Sequence, residues 1–371
     1  MTAHKIAIMP GDGIGPEVIA AAVAVLDAAE QRFGFSTARQ YFPMGADHYL
    51  ATGELLQEAA AELAEFDAIL FGAMGDPRVT PGILERGIIL EMRKRFTQAA
   101  NVRPVRLYPG VPTPIAGLQP EQCDIVFVRE NTEGAYVAEG LTVHADTPLE
   151  VAVQESVNTY AAVRRVVEYA FKLAMQRRKK LTLCHKTNVL VAAGKLWSKV
   201  VAEVGQDYPE VTVDYVHVDA MCFHLPVCPE RFDVVVTDNL FGDIVTDLGA
   251  VIQGGMGVST SANLNLDGSA PSMFEAIHGS APDIAGQQVA NPAGAILALS
   301  LLLGHLGEGS AAAAIEAATA QVLAELPALA GPRMGLTTAE IGARIAALVA
   351  APETITTVIS EPLVQALARL N

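Results

Sequence analysis

The apolar positions of this chain alternate between short β-branched runs and longer stretches with helical spacing. The short runs predict buried strands at about residues 5–9, 67–72, 100–107, 124–128, 181–184, 211–217 and 234–236. Helical spacing predicts helices at about residues 16–33, 85–96, 150–176, 240–253, 293–306, 310–326, 338–349 and 361–370. This order of elements predicts an α/β fold.

Charged residues follow several of the predicted strands. Arg129, Lys186 and Asp219 each lie just past a strand end, and the turn at Asp238 has the same placement. Open α/β sheets bind their ligands at the carboxyl ends of strands. These residues together therefore predict a ligand site at one edge of the sheet.

Two acidic residues on the helix after that turn suggest a metal site. Asp243 and Asp247 lie four residues apart, so they project from one helix face. Two carboxylates with no Cys or His beside them suit Mg²⁺ or Mn²⁺ better than zinc. From the pair alone, two solvated acids on an exposed helix face are the alternative.

Three arginines lie at the ends of predicted elements in a strongly acidic chain. An arginine fork binds a carboxylate through two hydrogen bonds, so Arg93, Arg103 and Arg129 could clamp a di-acid. Three surface ion pairs are the alternative.

Composition excludes several classes of protein. Of the 371 residues 51% are hydrophobic and 18% charged, which opposes disorder, and the formal net charge of −16 opposes a nucleic-acid surface. The longest apolar stretch, from residue 293 to 304, is about 12 residues and too short to cross a membrane. Four cysteines without paired spacing favour a reducing cytoplasm.

A glycine-rich loop follows the first strand, reading Gly11-Asp-Gly-Ile-Gly-Pro-Glu17. The glycine spacing differs from that of a dinucleotide-binding loop. The acidic residue that such a loop needs at the end of the second strand is also missing. The loop therefore predicts a tight strand-to-helix turn.

Six motifs occur in order along the chain: Gly11-Asp-Gly-Ile-Gly-Pro-Glu17, Asn101-Val-Arg-Pro104, Arg129-Glu-Asn-Thr-Glu-Gly-Ala-Tyr136, Lys186-Thr-Asn188, Asp238-Asn-Leu-Phe-Gly-Asp243 and His278-Gly-Ser-Ala-Pro-Asp-Ile-Ala-Gly286. Over residues 4–349 the chain thus resembles the β-decarboxylating dehydrogenases of 2-hydroxy acids, the isocitrate/isopropylmalate dehydrogenase family. Order and spacing are most similar to the isopropylmalate dehydrogenase branch. The Arg129-Glu-Asn-Thr-Glu-Gly run is closer to the tartrate and isocitrate branches.

The resemblance implies a two-domain, isopropylmalate dehydrogenase-like α/β fold with a non-Rossmann NAD site. Residues 1–99 and 255–371 would form a discontinuous cofactor-side domain, and residues 100–254 a domain for dimerisation and catalysis. It also implies a homodimer in which both chains build each active site.

The resemblance assigns roles to the charged residues. Arg93, Arg103 and Arg129 would bind the carboxylates of a small dicarboxylate substrate. Lys186 and Tyr136 would be catalytic, with Asp219 assisting the lysine. The Mg²⁺ or Mn²⁺ ligands would be Asp243 and Asp247, with Asp219 supplied by the other chain.

The cofactor loop implied by the resemblance comprises His278, Gly279, Ser280, Ala281, Pro282, Asp283 and Ile284, with Asn291 after it. A carboxylate at Asp283 would accept hydrogen bonds from the adenosine ribose and repel a 2′-phosphate. We therefore expect NAD rather than NADP.

The helix that begins at Glu85 carries substrate choice in this family. Ile88, Ile89, Leu90 and Val189 could line a pocket for a branched alkyl group, or pack the helix against the core. The expected reaction is oxidative decarboxylation of 3-isopropylmalate to 4-methyl-2-oxopentanoate, in leucine biosynthesis. The alternatives are 3-benzylmalate or another 3-alkylmalate, D-malate or tartrate, homoisocitrate, and a catalytically silent regulatory subunit of the same fold.

Overall fold

The computed structural model describes residues 3–137 and 140–351, which form an α/β fold as predicted. The strands are β1 (Ala3–Gly11), β2 (Ser36–Tyr41), β3 (Ala68–Ala73), β4 (Ala100–Arg106), β5 (Asp124–Glu130), β6 (Gly140–Val143), β7 (Val151–Gln154), β8 (Lys180–His185), β9 (Thr212–His217), β10 (Val234–Thr237), β11 (Thr260–Leu264) and β12 (Ser272–Ala276). The helices are α1 (Gly15–Phe33), α2 (Ala46–Thr52), α3 (Leu56–Leu63), α4 (Glu91–Arg95), α5 (Tyr160–Met175), α6 (Val191–Gly205), α7 (Val218–Val227), α8 (Asn239–Ile252), α9 (Ala293–His305), α10 (Gly309–Glu325) and α11 (Thr338–Ala350). The helix predicted at 361–370 lies outside the described residues.

Ten strands form one sheet in the order β2-β1-β3-β12-β11-β4-β5-β10-β8-β9. Strands β2, β1, β3 and β12 are mutually parallel, as are β5, β10, β8 and β9, and antiparallel pairs join the two groups through β11 and β4. Parallel strands are buried on both faces, which is why the sequence shows continuous runs such as Val234–Thr237.

The two groups of strands come from different parts of the chain. Residues 3–73 and 260–276 supply β1, β2, β3, β11 and β12, whereas residues 100–237 supply the other five strands of the sheet. The expected division into two domains follows the same segments. It stays a prediction, because the ten strands are continuous.

The helix predicted at 150–176 was wrong at its start. Residues Val151–Gln154 form β7, which pairs with β6 in a separate hairpin, and helix α5 begins only at Tyr160. The side chain of Thr159 caps α5 by accepting a hydrogen bond from the backbone N–H of Ala162 (3.2 Å). Alternating valines and this cap explain the later start.

The predicted helix at 85–96 is irregular in its first half. Residues Glu85–Leu90 form a π-helix, and α4 follows it. Gly87 packs so closely against Leu55 that a Cβ atom would lie 2.5 Å from the Leu55 Cδ1. The missing side chain at Gly87 thus lets this segment lie close against Leu55.

Three strands of the ten-stranded sheet, β2, β11 and β12, escaped the hydrophobic pattern. In β11 and β12 the buried residues include Ser261, Asn263 and Glu275, whose side chains bond to one another inside the protein. Strand β2 is mostly exposed at the sheet edge. Polar buried strands and edge strands lack the apolar run that marked the others.

Within the described residues, no helix combines the length and hydropathy needed to span a membrane.

Candidate active site

The predicted edge of the sheet exists. Strands β5, β10 and β8 are neighbours, and Thr237 pairs with both Arg129 and Cys184. Their carboxyl ends therefore lie side by side, and the residues after them, including Lys186 and Asp238, enter one region.

Helix α8 begins at this edge and carries the two candidate metal ligands. The Asp238 carboxylate caps the helix by accepting a hydrogen bond from the Phe241 N–H (2.8 Å). Burial raises the pKa of Asp238 to about 6. The hydrogen bond to the helix N-terminus offsets part of the cost of burying this carboxylate.

Arg129 and Arg103 both bind Asp243. Arg129 Nη1 donates to Asp243 Oδ1 at 2.5 Å, and Arg103 Nη1 lies 3.2 Å from the same oxygen. Arg129 is 1% exposed and also donates from Nε and Nη2 to Asn239 Oδ1, at 3.1 and 2.7 Å. Gly242 leaves room for this arginine, because a Cβ there would lie 2.6 Å from its Cγ.

The charges at this cluster are strongly coupled. Burial opposes ionisation of Asp243, but Arg129 and Arg103 outweigh it and hold the pKa of that carboxyl below its ordinary value. Burial, together with the charge of Arg103, lowers the pKa of Arg129 to about 9, so this guanidinium stays charged at neutral pH. The two arginines thus hold the Asp243 carboxylate between them.

Arg93 reaches the same region through a network that sequence reasoning missed. Its Nη2 lies 3.4 Å from Glu275 Oε1, which also accepts hydrogen bonds from Asn263 Nδ2 (2.8 Å) and Ser261 Oγ (3.2 Å). Asn101 donates to Asn263 Oδ1 at 2.8 Å and accepts from Arg103 at 2.7 Å. Asn101 lies inside one of the six motifs and Glu275 just before another. Polar residues within strands next to these motifs could therefore have indicated the network.

Tyr136 joins the cluster from the segment after β5. Its hydroxyl donates a hydrogen bond to Asp243 Oδ2, and the Arg129 guanidinium lies 5.2 Å from its ring centroid. Burial and the hydrogen bond to Asp243 raise the pKa of Tyr136. The phenol is therefore held protonated beside the arginines.

Asp247 lies one turn beyond Asp243 on α8. Burial and the neighbouring charge of Asp243 raise the pKa of Asp247, as expected for two carboxylates that face each other. Hard oxygen ligands of this kind fit Mg²⁺ or Mn²⁺. Across residues 3–137 and 140–351, however, no three acidic, His or Cys side chains come together to hold a metal.

Lys186 and Asp219 form a second, separate pair. Lys186 Nζ lies 2.6 Å from Asp219 Oδ1, and the Asp219 side chain is 67% exposed. Asp219, at the start of α7, is not grouped with Asp243 and Asp247 in this chain. The third ligand therefore has to come from elsewhere if a metal binds.

The glycine loop supports the segment expected to bind the cofactor. Ile14 N donates to Ser280 O (2.8 Å), and a Cβ on Gly13, whose φ is +58°, would lie 1.9 Å from that oxygen. The Glu17 carboxylate accepts from the Gly286 and Gln288 N–H groups at 2.9 and 3.1 Å. The loop is thus the tight strand-to-helix turn that was predicted, and it holds residues 278–288.

Two polar side chains at the expected cofactor loop differ in their hydrogen bonding. Asn291 donates to Leu329 O (3.1 Å) and accepts from Ala293 N (3.0 Å), so its side chain shapes the start of α9. The buried His278 Nε2 has no hydrogen-bond partner among the described residues. Asp283 is exposed, as a contact to a ribose would require.

A cleft of about 1010 Å³ lies beside the cluster. Its wall includes Tyr136, Glu85 and Leu90, and Glu85 also lines a second cavity of about 460 Å³ against Ser280 and Pro282. Glu85 therefore lies between the expected substrate and cofactor sides.

The predicted alkyl pocket needs correction. Ile88 is fully buried and does not line the cleft, since it lies four residues from both Leu84 and Met92 on the face that packs into the core. Ile89 packs partly against the same core, whereas Leu90 lines the cleft. Val189 is 64% exposed beyond β8.

Fold and site together give an α/β protein with a buried arginine cluster at one sheet edge, adjacent acidic residues and a separate loop held by the glycine turn. The family model described as "Isocitrate/isopropylmalate dehydrogenase" matches residues 5–345, and the chain belongs to this family. The expected resemblance is confirmed.

Individual relatives agree with this assignment. The chain is 53% identical over 348 residues to the 3-isopropylmalate dehydrogenase of Thermobifida fusca (strain YX), which covers 93% of this chain and 98% of that protein. It is 52% identical to the 3-isopropylmalate dehydrogenase of Nocardia farcinica (strain IFM 10152), covering 93% and 100%. The crystal structure of isocitrate dehydrogenase from Methylococcus capsulatus superposes with a TM-score of 0.83 at 33% identity, covering 94% and 99%.

Proposed function

We propose that this protein catalyses the NAD-dependent oxidative decarboxylation of 3-isopropylmalate to 4-methyl-2-oxopentanoate in leucine biosynthesis. Relatives about half identical over nearly the whole chain carry the name 3-isopropylmalate dehydrogenase, which supports this substrate. The observation that carries the proposal is the convergence of Arg129 and Arg103 on a carboxylate beside a protonated tyrosine.

The arginines would bind the malate. Arg103 and Arg129 already hold one carboxylate oxygen, that of Asp243, so the geometry and charge for carboxylate binding are preformed. Arg93, held by Glu275, adds a third guanidinium. Leu90 would contact the isopropyl group from the cleft wall, and burial of each CH₂ is worth about 0.8 kcal/mol.

Two residues would move protons. Lys186 in its neutral form, with Asp219 assisting, would take the proton from the C2 hydroxyl of the substrate. Tyr136, kept protonated by burial and by Asp243, would deliver a proton to C3 after the carboxylate has left.

Residues of this chain fit the two partners that the reaction needs. Asp243 and Asp247 would hold Mg²⁺ or Mn²⁺, and residues 278–284 with the unpaired His278 Nε2 would hold NAD. When bound, NAD would supply the hydride acceptor and the cation would supply a Lewis acid. The carboxylate of Asp283 would repel the 2′-phosphate of NADP.

A substrate screen tests the function. Purified protein with Mg²⁺ or Mn²⁺ should reduce NAD with 3-isopropylmalate far faster than with 3-benzylmalate, D-malate, tartrate, homoisocitrate or isocitrate. Replacing NAD with NADP should reduce the rate. Comparable rates on isocitrate with none on 3-isopropylmalate would overturn the substrate, and no turnover of any acid would favour a silent subunit.

We also propose that two chains build each active site. The hairpin β6–β7 is exposed throughout, and its cross-strand pairs Leu141–Val153 and Val143–Val151 give it one apolar face. Helices α7 and α8 add exposed Phe223 and Ile244. An isolated hairpin is only marginally stable in water, so a second copy of the chain is the expected cover.

A hybrid dimer tests this arrangement. Lys186→Met and Asp243→Asn should each abolish activity alone. If Lys186 serves the partner's site, mixed and reassociated variants should regain about a quarter of wild-type activity, because half of the dimers then hold one intact site. The control is the same two variants combined without dissociation, so that no hybrid dimers form. If hybrid dimers are shown to form and the sample is still inactive, shared sites are excluded.

A further inference from the structure

One tyrosine hydroxyl contacts the backbone on both sides of Lys186. This lysine follows β8, and Tyr215 lies on β9, which pairs in parallel with β8. The Tyr215 hydroxyl lies 3.1 Å from the carbonyl oxygen of His185 and 3.1 Å from the backbone nitrogen of Thr187. These two residues directly precede and follow Lys186 in the chain. Tyr215 therefore joins the edge strand to the turn that carries the lysine.

The hydrogen-bonding capacity of a phenol suits this position. Tyr215 donates its single proton to the His185 carbonyl and accepts from the Thr187 N–H, which leaves one lone pair. His217 Nδ1 (2.8 Å) and Thr187 Oγ1 (2.9 Å) both lie within reach of the hydroxyl, and either can donate to that lone pair. The hydroxyl is thus fully engaged by protein groups.

The turn itself is fixed by its own backbone and by helix α6. The Lys186 carbonyl accepts hydrogen bonds from the N–H groups of Val189 (3.0 Å) and Leu190 (2.8 Å). Gly194 of α6 packs so closely against Thr187 that a Cβ atom would lie 2.6 Å from the Thr187 Cα. The backbone at Lys186 consequently has one defined position relative to β9.

The same segment after β9 also holds the lysine side chain. Asp219, whose Oδ1 lies 2.6 Å from Lys186 Nζ, follows His217 by two residues. Residues 215–219 thus contact both the backbone and the amine of the lysine. A general base has to lie within hydrogen-bond reach of the proton that it removes, and a displacement of about 1 Å can cost about a hundredfold in rate.

We propose that Tyr215 is a positioning residue for Lys186, and that His217 and Thr187 orient its hydroxyl. This inference rests on the proposed function, in which Lys186 is the base. Because the Tyr215 hydroxyl is engaged by protein groups, it acts through the lysine rather than on the substrate.

Steady-state kinetics of Tyr215→Phe test the assignment. The variant keeps the ring and removes only the hydroxyl, so kcat should fall about tenfold or more, while KM for 3-isopropylmalate and for NAD should change less than about twofold. A purely structural tyrosine would lower the unfolding midpoint and leave the kcat of the folded enzyme unchanged. That second result would overturn the inference.

A matched control removes a bonded tyrosine hydroxyl elsewhere. Tyr160→Phe on α5 deletes a hydroxyl that donates to Glu203 Oε2 (2.8 Å), and its kcat and KM should equal those of wild type. If Tyr215→Phe does not fold, the double variant His217→Phe/Thr187→Val replaces it, because it removes both groups that can donate to the remaining lone pair. An unchanged kcat in that variant would count against the positioning role.

A spectroscopic measurement separates this inference from the proposed function. Reductive methylation with ¹³C-formaldehyde gives each lysine an NMR signal, and Lys186→Arg identifies the signal of Lys186. Tyr215→Phe should shift that signal, and Tyr160→Phe should not. If the signal shifts in a protein that oxidises none of the acids, the positioning role stands and the proposed function fails. An unshifted signal would overturn the positioning role whether or not the protein is active.

Discussion

The arginine cluster and the Lys186–Asp219 pair lie at the same edge of the sheet but differ in completeness. Arg129 is 1% exposed and each of its polar groups bonds to Asn239 or Asp243. Asp219, by contrast, pairs with Lys186 and is mostly exposed. The polar groups of Arg129 in the arginine cluster are thus paired within one chain, whereas the Lys186–Asp219 pair is exposed at the surface.

This difference has consequences for stability. Removal of one partner from a buried ion pair leaves an uncompensated charge, whereas an exposed pair contributes little. Residues of the cluster should therefore support both folding and catalysis, and the exposed pair should support catalysis alone.

The largest effect is expected for Arg129→Met. The variant removes one cation from Asp243, which keeps Arg103 and Tyr136, and both hydrogen bonds to Asn239 Oδ1, so the free energy of unfolding should fall by about 3 kcal/mol. Loss of the carboxylate fork should lower kcat/KM by about a hundredfold or more. Denaturant unfolding and steady-state kinetics measure both, with Arg78→Met as an exposed control. An unchanged unfolding midpoint would show that the arginine cluster does not support folding.

Asp238→Asn probes the buried region through pH. Burial raises the pKa of Asp238 from 3.8 to about 6, so the folded protein binds this proton more tightly than the unfolded chain. The ionised carboxylate thus penalises folding above pH 6, and the penalty disappears as the pH falls towards 4.

Asparagine keeps the helix cap without the charge. The variant should match wild type near pH 4 and exceed its unfolding free energy by up to about 3 kcal/mol above pH 6. Urea unfolding across this range measures the difference, and Asp238→Ala separates the cap from the charge. A difference that does not vary with pH would contradict the assignment.

The smallest stability effect is expected for Asp219→Asn. Because the carboxylate is exposed, the melting temperature should not change, while dehydrogenase activity should fall at least about tenfold through the loss of the group that orients Lys186. Lys199→Gln, which removes a similar exposed pair with Glu203, should change neither quantity. A large drop in melting temperature would show that this pair is structural.

Sequence and structure agree best where a residue's role follows from its position along the chain. Strand ends placed Arg129, Lys186 and Asp238 at one sheet edge, and the spacing of Asp243 and Asp247 gave a common helix face. Both inferences rest on local periodicity, which the chain carries by itself. The motifs added the family.

The tertiary structure alone decided which residues meet. Glu275 and Asn263 lie in buried strands that carry no apolar run. Only the pairing of β11 with both β4 and β12 brings them to Arg93 and Asn101. Ile88 packs into the core with Leu84 and Met92, and only the packing of this segment shows that it does not line the cleft. Local pattern thus determined the elements and their chemistry, whereas burial and long-range pairing, which depend on the whole chain, determined the contacts.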